Sequence, residues 1–212
     1  MKMKHNYKVL GIAILTFFLC VLSLFKLPDT IPIHWNVQGE IDGYGSKYLI
    51  LLFGLLGLGV YCLMNLTKKM DPFETKIDEK LETYLLMRDL MTVMLSSVGL
   101  IFLVALFYPT FNLMMGISIV LGIGLVLIGN YMPRVPHNYY LGAKTPWAIA
   151  NEDNWKVTQR LGGYVLCMSG VLMVLGGIIG QTEVMSSSII VLILGIIYVY
   201  YKSWRMFKDG NV

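Results

Sequence analysis

The feature that most constrains the fold is a series of six apolar runs in which charged residues are almost absent. Each run is close to the roughly 20 residues that a helix needs to cross a hydrocarbon core about 30 Å thick. Backbone groups in lipid must be satisfied within the segment, so the runs predict an all-α integral membrane protein with six transmembrane helices. The predicted spans are 9–25, 48–66, 84–107, 113–131, 161–180 and 186–201.

The composition excludes a soluble globule, because 56% of the residues are hydrophobic and the mean hydropathy is +0.65. The net charge of +4 lies on residues that flank the spans, so it does not favour direct binding of nucleic acid. Each of the three cysteines, Cys20, Cys62 and Cys167, lies in an apolar run, which predicts neither a disulfide framework nor a metal site.

The distribution of Lys and Arg predicts the orientation. With a cytoplasmic N-terminus, all 17 Lys and Arg residues except Lys26 and Lys47 lie on the cytoplasmic side. The first run lacks a small-residue cleavage site after it, so we expect a retained helix and not a signal peptide. The prediction is a multi-pass protein of the bacterial cell membrane with both ends inside.

One polar segment, the signature loop at 132–160, is too rich in Pro, Gly, Asn and Trp to be an ordinary connector. Asn138 and Gly142 predict a tight reversal, because Asn forms turns and Gly accepts positive φ. Thr145 and Pro146 suit the N-cap and first position of a helix, and Trp147 suits the membrane interface. Asn151 is a second candidate N-cap, for a helix that carries Trp155 and Arg160 into the fifth span.

The loop at 26–47 faces outward under this orientation. In it, Ile31, Ile33, Trp35 and Val37 alternate with polar or Pro residues, which predicts a short extended segment. His34 with Glu40 and Asp42 has no metal-ligand spacing, so a hydrogen-bonded loop histidine is favoured over a metal site. The sequence thus predicts an ordered extracellular loop and an ordered cytoplasmic loop, without a cofactor or a metal.

Three regions follow from these patterns. Region 1–66 is a first helix pair with the extracellular loop, 67–83 is a cytoplasmic amphipathic linker, and 84–212 is a four-helix region with the signature loop. In the linker, Asp71 and Glu74 form a helix start, and Phe73, Ile77 and Leu81 form an apolar stripe at four-residue spacing. Its charged face is predicted to be solvated.

Two motifs at this separation resemble a known family. The signature-loop residues are similar to those of the SdpI family of bacterial membrane proteins: Asn138, Gly142, Lys144, Thr145, Pro146, Trp147, Trp155, Arg160 and Gly162. The outer loop resembles the DUF1648 module often found at the N-terminus of these proteins, in Pro28, Pro32, His34, Trp35 and Gly39. The family usually has Arg at the position of Lys144, so a bidentate guanidinium contact is not expected here.

The resemblance implies immunity against a secreted, membrane-active peptide toxin, with a signal passed to a cytoplasmic regulator as a further expectation. The outer loop, or grooves between the spans, would then meet the toxin. The signature loop would lock the bundle or bind a partner, and both alternatives stay open. An enzyme is not expected, because no catalytic motif occurs. The alternative is a transporter for a small or lipid-like substrate, without ion coupling because the span centres lack ionisable groups.

Overall fold

The computed structural model describes residues 6–36 and 39–210, and 77% of the chain is helical. Val37, predicted to lie in the extended segment, is outside the described residues. Helical elements within the described part are α1 (Tyr7–Ser23), α2 (Ile50–Met70), α3 (Glu74–Glu79), α4 (Leu81–Phe107), α5 (Leu113–Tyr131), α6 (Pro146–Ala150), α7 (Glu152–Ile179) and α8 (Thr182–Lys208), with 3-10 turns at Lys47–Leu49 and Met132–Arg134.

Five of the described helices, α2, α4, α5, α7 and α8, are long and apolar enough to cross a membrane by length and composition. Helix α1 is apolar but has only 17 residues, about 26 Å at 1.5 Å per residue. The prediction of spans is therefore confirmed for five helices, and the sixth crossing stays a prediction. Helix α7 begins at Glu152, nine residues before the predicted span, because Asn151 caps it through hydrogen bonds from Asp153 N (2.8 Å) and Asn154 N (3.0 Å).

Helices α5 and α7 form a close interface whose contacts are glycine to glycine. A Cβ added at Gly122 would lie 2.7 Å from the Gly170 carbonyl oxygen, and one at Gly129 would lie 2.7 Å from the Gly163 carbonyl oxygen. In lipid, such approach gains van der Waals contact where there is no hydrophobic driving force between helices. Gly180, by contrast, ends α7 at φ +72°, and no atom lies within 4 Å of a Cβ built there.

The bundle has two ends, each with its own hydrophobic cluster. One cluster contains Tyr84 of α4 with Trp155 of α7, and the other contains Phe102 of α4 with Ile31 and Leu113. Tyr84 and Phe102 are separated by about 27 Å along α4 at 1.5 Å per residue. The signature loop therefore packs at one end of the bundle and the 26–47 loop at the other.

The 26–47 loop folds as an antiparallel hairpin of β1 (Thr30–Trp35) and β2 (Ile41–Ser46). The predicted extended segment is confirmed as β1, whereas β2, which has two glycines among its six residues, was not predicted. The all-α fold class is thus correct for most of the chain but omits this hairpin. Ile31 is buried in the core, and Trp35 packs edge-to-face on Phe102 with ring centroids 5.5 Å apart.

The linker forms only the short helix α3 before Lys80 separates it from α4. Its charged face is not simply solvated. Lys68, only 2% exposed, pairs with Asp78 at 2.8 Å and Glu74 at 3.3 Å. Lys76 pairs with Glu152 at the start of α7 at 2.6 Å. The linker is therefore fastened to α2 and α7 by ion pairs.

Candidate functional site

Asn138 organises the signature loop from a fully buried position. Its amide nitrogen donates to the carbonyl oxygens of Pro136 (2.7 Å) and Leu141 (3.0 Å). Its amide oxygen accepts from the backbone N–H of Tyr140 (2.9 Å) and Leu141 (2.6 Å). One side chain thus satisfies the backbone of a reversal that has no secondary structure, which explains why this turn needs Asn.

The reversal is held against α7 by Gln159, which is fully buried. Its side-chain oxygen accepts from Ala143 N (3.0 Å) and its side-chain nitrogen donates to Ala143 O (2.9 Å), as a second strand would. Gly142 has φ +107°, and a Cβ there would collide with Gln159 Oε1. The predicted positive φ at Gly142 is therefore confirmed, with close approach of Gln159 as a second reason for glycine.

A polar cluster joins the loop to α8. Thr145 Oγ1 accepts from Ala148 N (3.0 Å), which confirms the predicted N-cap of α6. Ser203 of α8 donates its hydroxyl to Asn154 Oδ1 (2.7 Å), so Thr145 must be the donor in its own hydrogen bond to Ser203. Asn154 Nδ2 also donates to the Ser203 carbonyl oxygen at 2.9 Å. The loop, α7 and α8 are thus linked through one buried network.

Asp71, at the end of α2, ties the loop to the linker. One carboxylate oxygen accepts from Phe73 N and the other from Tyr139 N, both at 2.8 Å. Trp155, 2% exposed, donates from Nε1 to the Val135 carbonyl oxygen at 3.2 Å. The sequence analysis assigned Asp71 only to the start of a helix. Its partner in the loop, Tyr139, is 68 positions away in sequence, so no local sequence pattern indicates this contact.

The other predicted signature residues lie on the surface of this framework. Lys144 is exposed and donates from Nζ to the Tyr140 carbonyl oxygen at 3.0 Å. Trp147 is half-buried against Phe207, with ring centroids 6.4 Å apart. Pro146 and Arg160 are exposed. The signature therefore divides into a buried set that fixes the loop and an exposed set that does not.

The predicted residues of the hairpin also differ in their exposure to solvent. His34 is exposed and pairs with Asp42 across the hairpin, whereas Trp35 packs inward. Gly39, at φ +82°, forms the turn, and Pro28 is exposed. Pro32, half-buried in β1, lies opposite Tyr44 of β2. Within residues 6–36 and 39–210, no group of three or more potential ligands could hold a metal ion.

A buried charge network near the signature-loop end was missed by the sequence analysis. Arg88, fully buried, donates to Asp89 Oδ1 from Nε (2.9 Å) and Nη2 (2.8 Å), and from Nη1 to Asn65 Oδ1 (2.9 Å). Asn6 donates to the other Asp89 oxygen at 2.7 Å, and the guanidinium lies over the Tyr61 ring at 4.4 Å. The network joins α1, α2 and α4. Both charged residues lie within the predicted span 84–107, near its start.

An apolar cavity of about 440 Å³ lies beneath the signature loop. Its walls come from α4, α5, α7, α8 and the loop, and Lys144 is part of its lining. The volume lies within the roughly 300–1,000 Å³ range of small-molecule sites. The cavity could not be predicted from the sequence, because most of its lining residues are Met, Ile, Leu and Val, which are typical of any membrane span.

His137 lies in an apolar stack between Phe73 (centroids 4.4 Å apart) and Trp155 (4.9 Å). Both of its ring nitrogens lack a hydrogen-bond partner among the described residues. Burial, and secondarily the positive charge of Lys76, lowers the pKa of His137 below its ordinary value, while Glu152 and the backbone of Ile149 and Ala148 oppose this. These surroundings therefore favour the neutral form of the histidine.

This burial predicts a pH dependence of stability. The unfolded chain takes up a proton near pH 6.5, whereas folded His137 resists it, so stability is lost as the pH falls below 6.5. Between pH 7.5 and 5.5 we therefore expect His137 to lower the free energy of unfolding as the pH falls. The His137→Phe variant, which keeps an aromatic ring, should lose less stability over the same interval in detergent-micelle unfolding. Equal slopes for the two proteins would contradict the assignment.

Two regions of the chain match models of known families or domains. Residues 134–202 match the model of the SdpI/YfhL protein family, and residues 11–58 match a domain of unknown function, DUF1648. The chain carries an SdpI/YfhL family region. The SdpI region contains the signature loop from Arg134, α6, α7 and the α8 wall of the cavity, and the DUF1648 region contains most of α1 and the hairpin.

The chain is also similar over nearly its whole length to a curated protein. It is 26% identical over 206 residues to "Immunity protein SdpI" of Bacillus subtilis (strain 168), covering 94% of this chain and 97% of that protein. No solved structure matches significantly. The predicted resemblance is confirmed, and with five apolar helices the chain is a multi-pass protein of the cell membrane.

Proposed function

We propose that this chain is a membrane immunity protein that protects bacteria against a secreted, membrane-active peptide toxin. The observation that carries the proposal is the end-to-end similarity to an immunity protein, which includes the SdpI and DUF1648 regions together. A non-enzymatic role is part of the proposal, since protection by binding requires recognition and not turnover.

The proposed topology has six crossings with both ends in the cytoplasm. It is supported by the distribution of Lys and Arg: only Lys26 and Lys47 lie on the hairpin side, and all the others lie on the opposite side. It is also supported by α1, which packs on α2 and α4 as a sixth rod. The hairpin then faces outward, where a secreted toxin arrives, and the signature loop faces the cytoplasm.

The hairpin is the proposed toxin-recognition surface. Of its predicted residues, His34 and Pro28 are exposed, Pro32 is half-buried, and Trp35 packs on Phe102. Tyr44, on the neighbouring strand, is 63% exposed. An exposed tyrosine on an ordered hairpin supplies apolar contact area and a hydroxyl with little loss of side-chain entropy, which suits binding to an amphipathic peptide.

The signature loop is proposed to lock the helices at the cytoplasmic end. Support comes from the hydrogen bonds of the loop to three helices: Tyr139 N to Asp71 at the end of α2, Ala143 to Gln159 of α7, and Thr145 to Ser203 of α8. A cytoplasmic regulatory protein remains a second proposed partner, because Lys144, Lys156 and Arg160 are exposed there. These two roles are compatible, since they use different residues.

Survival of toxin-sensitive bacteria tests the proposal. Cells that express the chain should survive the toxin, and Tyr44→Ser should weaken toxin binding by about five- to thirtyfold, as expected for an interface residue worth 1–2 kcal/mol. The matched control is Tyr198→Ser on α8, where the tyrosine is 52% exposed. Western blots must give equal membrane levels for all variants.

Two outcomes would contradict the proposal separately. Absence of any protection by the wild-type chain would remove the immunity role for that toxin. Protection that Tyr44→Ser leaves intact would remove the hairpin as the recognition surface. The cavity favours a second candidate function, transport of a small or lipid-like substrate without ion coupling, which would appear as substrate flux in reconstituted vesicles.

A further inference from the structure

The cavity beneath the signature loop has the form of a cleft between α4 and α8. Met87 and Met91 of α4 line one side, and Leu192 and Ile196 of α8 line the other. Helix α4 packs on α1, α2 and α5, and α8 packs on α6 and α7, whereas α4 and α8 are not closely packed against each other in the described part of the chain. The cleft between them opens sideways, towards the lipid, where Ile196 of its lining is 48% exposed.

The dimensions of the cleft fit a single hydrocarbon chain. Its α8 wall runs from Leu192 to Tyr200, about 12 Å at 1.5 Å per residue, close to one leaflet of a core about 30 Å thick. The cleft has a volume of about 440 Å³ and an almost wholly apolar lining, so its length and chemistry suit one extended acyl chain.

The polar end of the cleft carries one positive charge. Tyr200 donates its hydroxyl to the Lys144 carbonyl oxygen at 3.3 Å, so the Tyr200 end is the end at the signature loop. Lys144 is exposed and lines the cavity. None of the described carboxylates forms an ion pair with it, and its one hydrogen bond to Tyr140 leaves further ammonium N–H groups for a ligand.

We propose that this cleft binds an anionic phospholipid of the leaflet at the signature-loop end. One acyl chain lies between α4 and α8, and the headgroup phosphate accepts hydrogen bonds from the Lys144 ammonium. The lysine at this position acts as a point charge, which suits a phosphate that is free to adjust on a fluid bilayer. The inference does not depend on the immunity role, because it uses only the cavity and its charge.

Native mass spectrometry of the full chain in detergent tests the acyl-chain site. The wild-type protein should retain phosphatidylglycerol, and Ile196→Trp, which fills the cleft, should abolish that retention. Ile197→Trp is the matched control, because Ile197 is the next residue of α8, is equally exposed to lipid and does not line the cavity. Thermal unfolding must show that both variants are folded.

The charge is tested by comparing lipids that differ only in headgroup. Lys144→Gln should weaken binding of phosphatidylglycerol about fivefold, as expected for one cation near a membrane surface. Binding of phosphatidylcholine should not change, and the control Lys202→Gln, an exposed cation of α8 outside the cavity, should have no effect on either lipid.

Three results would overturn the proposal. Equal loss of lipid in Ile196→Trp and Ile197→Trp would show that the cleft is not the site. A Lys144→Gln variant with unchanged preference for phosphatidylglycerol would remove the headgroup contact. If Ile196→Trp abolishes binding of a synthetic amphipathic peptide but leaves binding of phosphatidylglycerol intact, the cleft is a peptide site.

Discussion

Replacing Arg88 with methionine is expected to lower the free energy of unfolding by about 3–5 kcal/mol. Arg88 is fully buried, and its guanidinium donates to Asp89 and Asn65 while lying over Tyr61. Removal of the guanidinium would leave Asp89 with only Asn6 as a described partner in a poorly solvated position. Unfolding of the full chain from detergent micelles by SDS, followed by tryptophan fluorescence, measures the loss.

The control for this prediction is an arginine in an exposed pair. Arg205 is 44% exposed and lies 3.3 Å from Asp209 on α8, so Arg205→Met should change stability by no more than about 1 kcal/mol. The double variant Arg88→Met with Asp89→Asn should recover part of the loss, because the remaining charge is removed. Similar losses for Arg88→Met and Arg205→Met would show that the buried network does not stabilise the bundle.

The Arg88 network illustrates what hydropathy could not predict. The sequence shows one Arg and one Asp within an otherwise apolar helix, but it does not reveal that Asn6 and Asn65 approach them from two other helices. The expectation that ion coupling is disfavoured was based on apolar span centres. The network lies about 10 Å inside α4 at 1.5 Å per residue, and its charges are paired with each other.

Local chemistry was predicted well where the physical cause is local. The N-caps Thr145 and Asn151 and the positive φ of Gly142 follow from backbone requirements within a few residues. The contacts of Asp71 with Tyr139 and of Asn154 with Ser203 join residues that are 68 and 49 positions apart. Tertiary packing alone brings such pairs together, so the sequence could not show them.

The helices were predicted because apolar length is a direct requirement of the bilayer. Their pairing was not predicted, because glycine is common in this chain, with 21 residues. The α5–α7 interface places Gly122 against Gly170 and Gly129 against Gly163, at intervals of seven residues on both helices. The equal seven-residue interval places both glycines of each helix on one face, and this matching interval is the sequence pattern that indicates the interface.

Replacing Gly142 with alanine is expected to destabilise the protein by about 2–5 kcal/mol. Two effects contribute. The φ of +107° is strained for any residue with a Cβ, and the new methyl group would displace the side chain of Gln159. Gln159 would then lose its two hydrogen bonds to Ala143 while still buried. The same SDS unfolding measures this loss, and we expect the signature loop to become accessible to protease.

The two effects can be separated with residues that the chain already offers. Gly180 has φ +72° and no atom within 4 Å of its would-be Cβ, so Gly180→Ala should show the backbone strain alone, about 1 kcal/mol. In a Gln159→Ala background, Gly142→Ala should also cost little more than strain, because the displaced side chain is absent. If Gly142→Ala costs the same with and without Gln159, the glycine is required only for its φ, and the contact between the reversal and α7 does not determine the residue at this position.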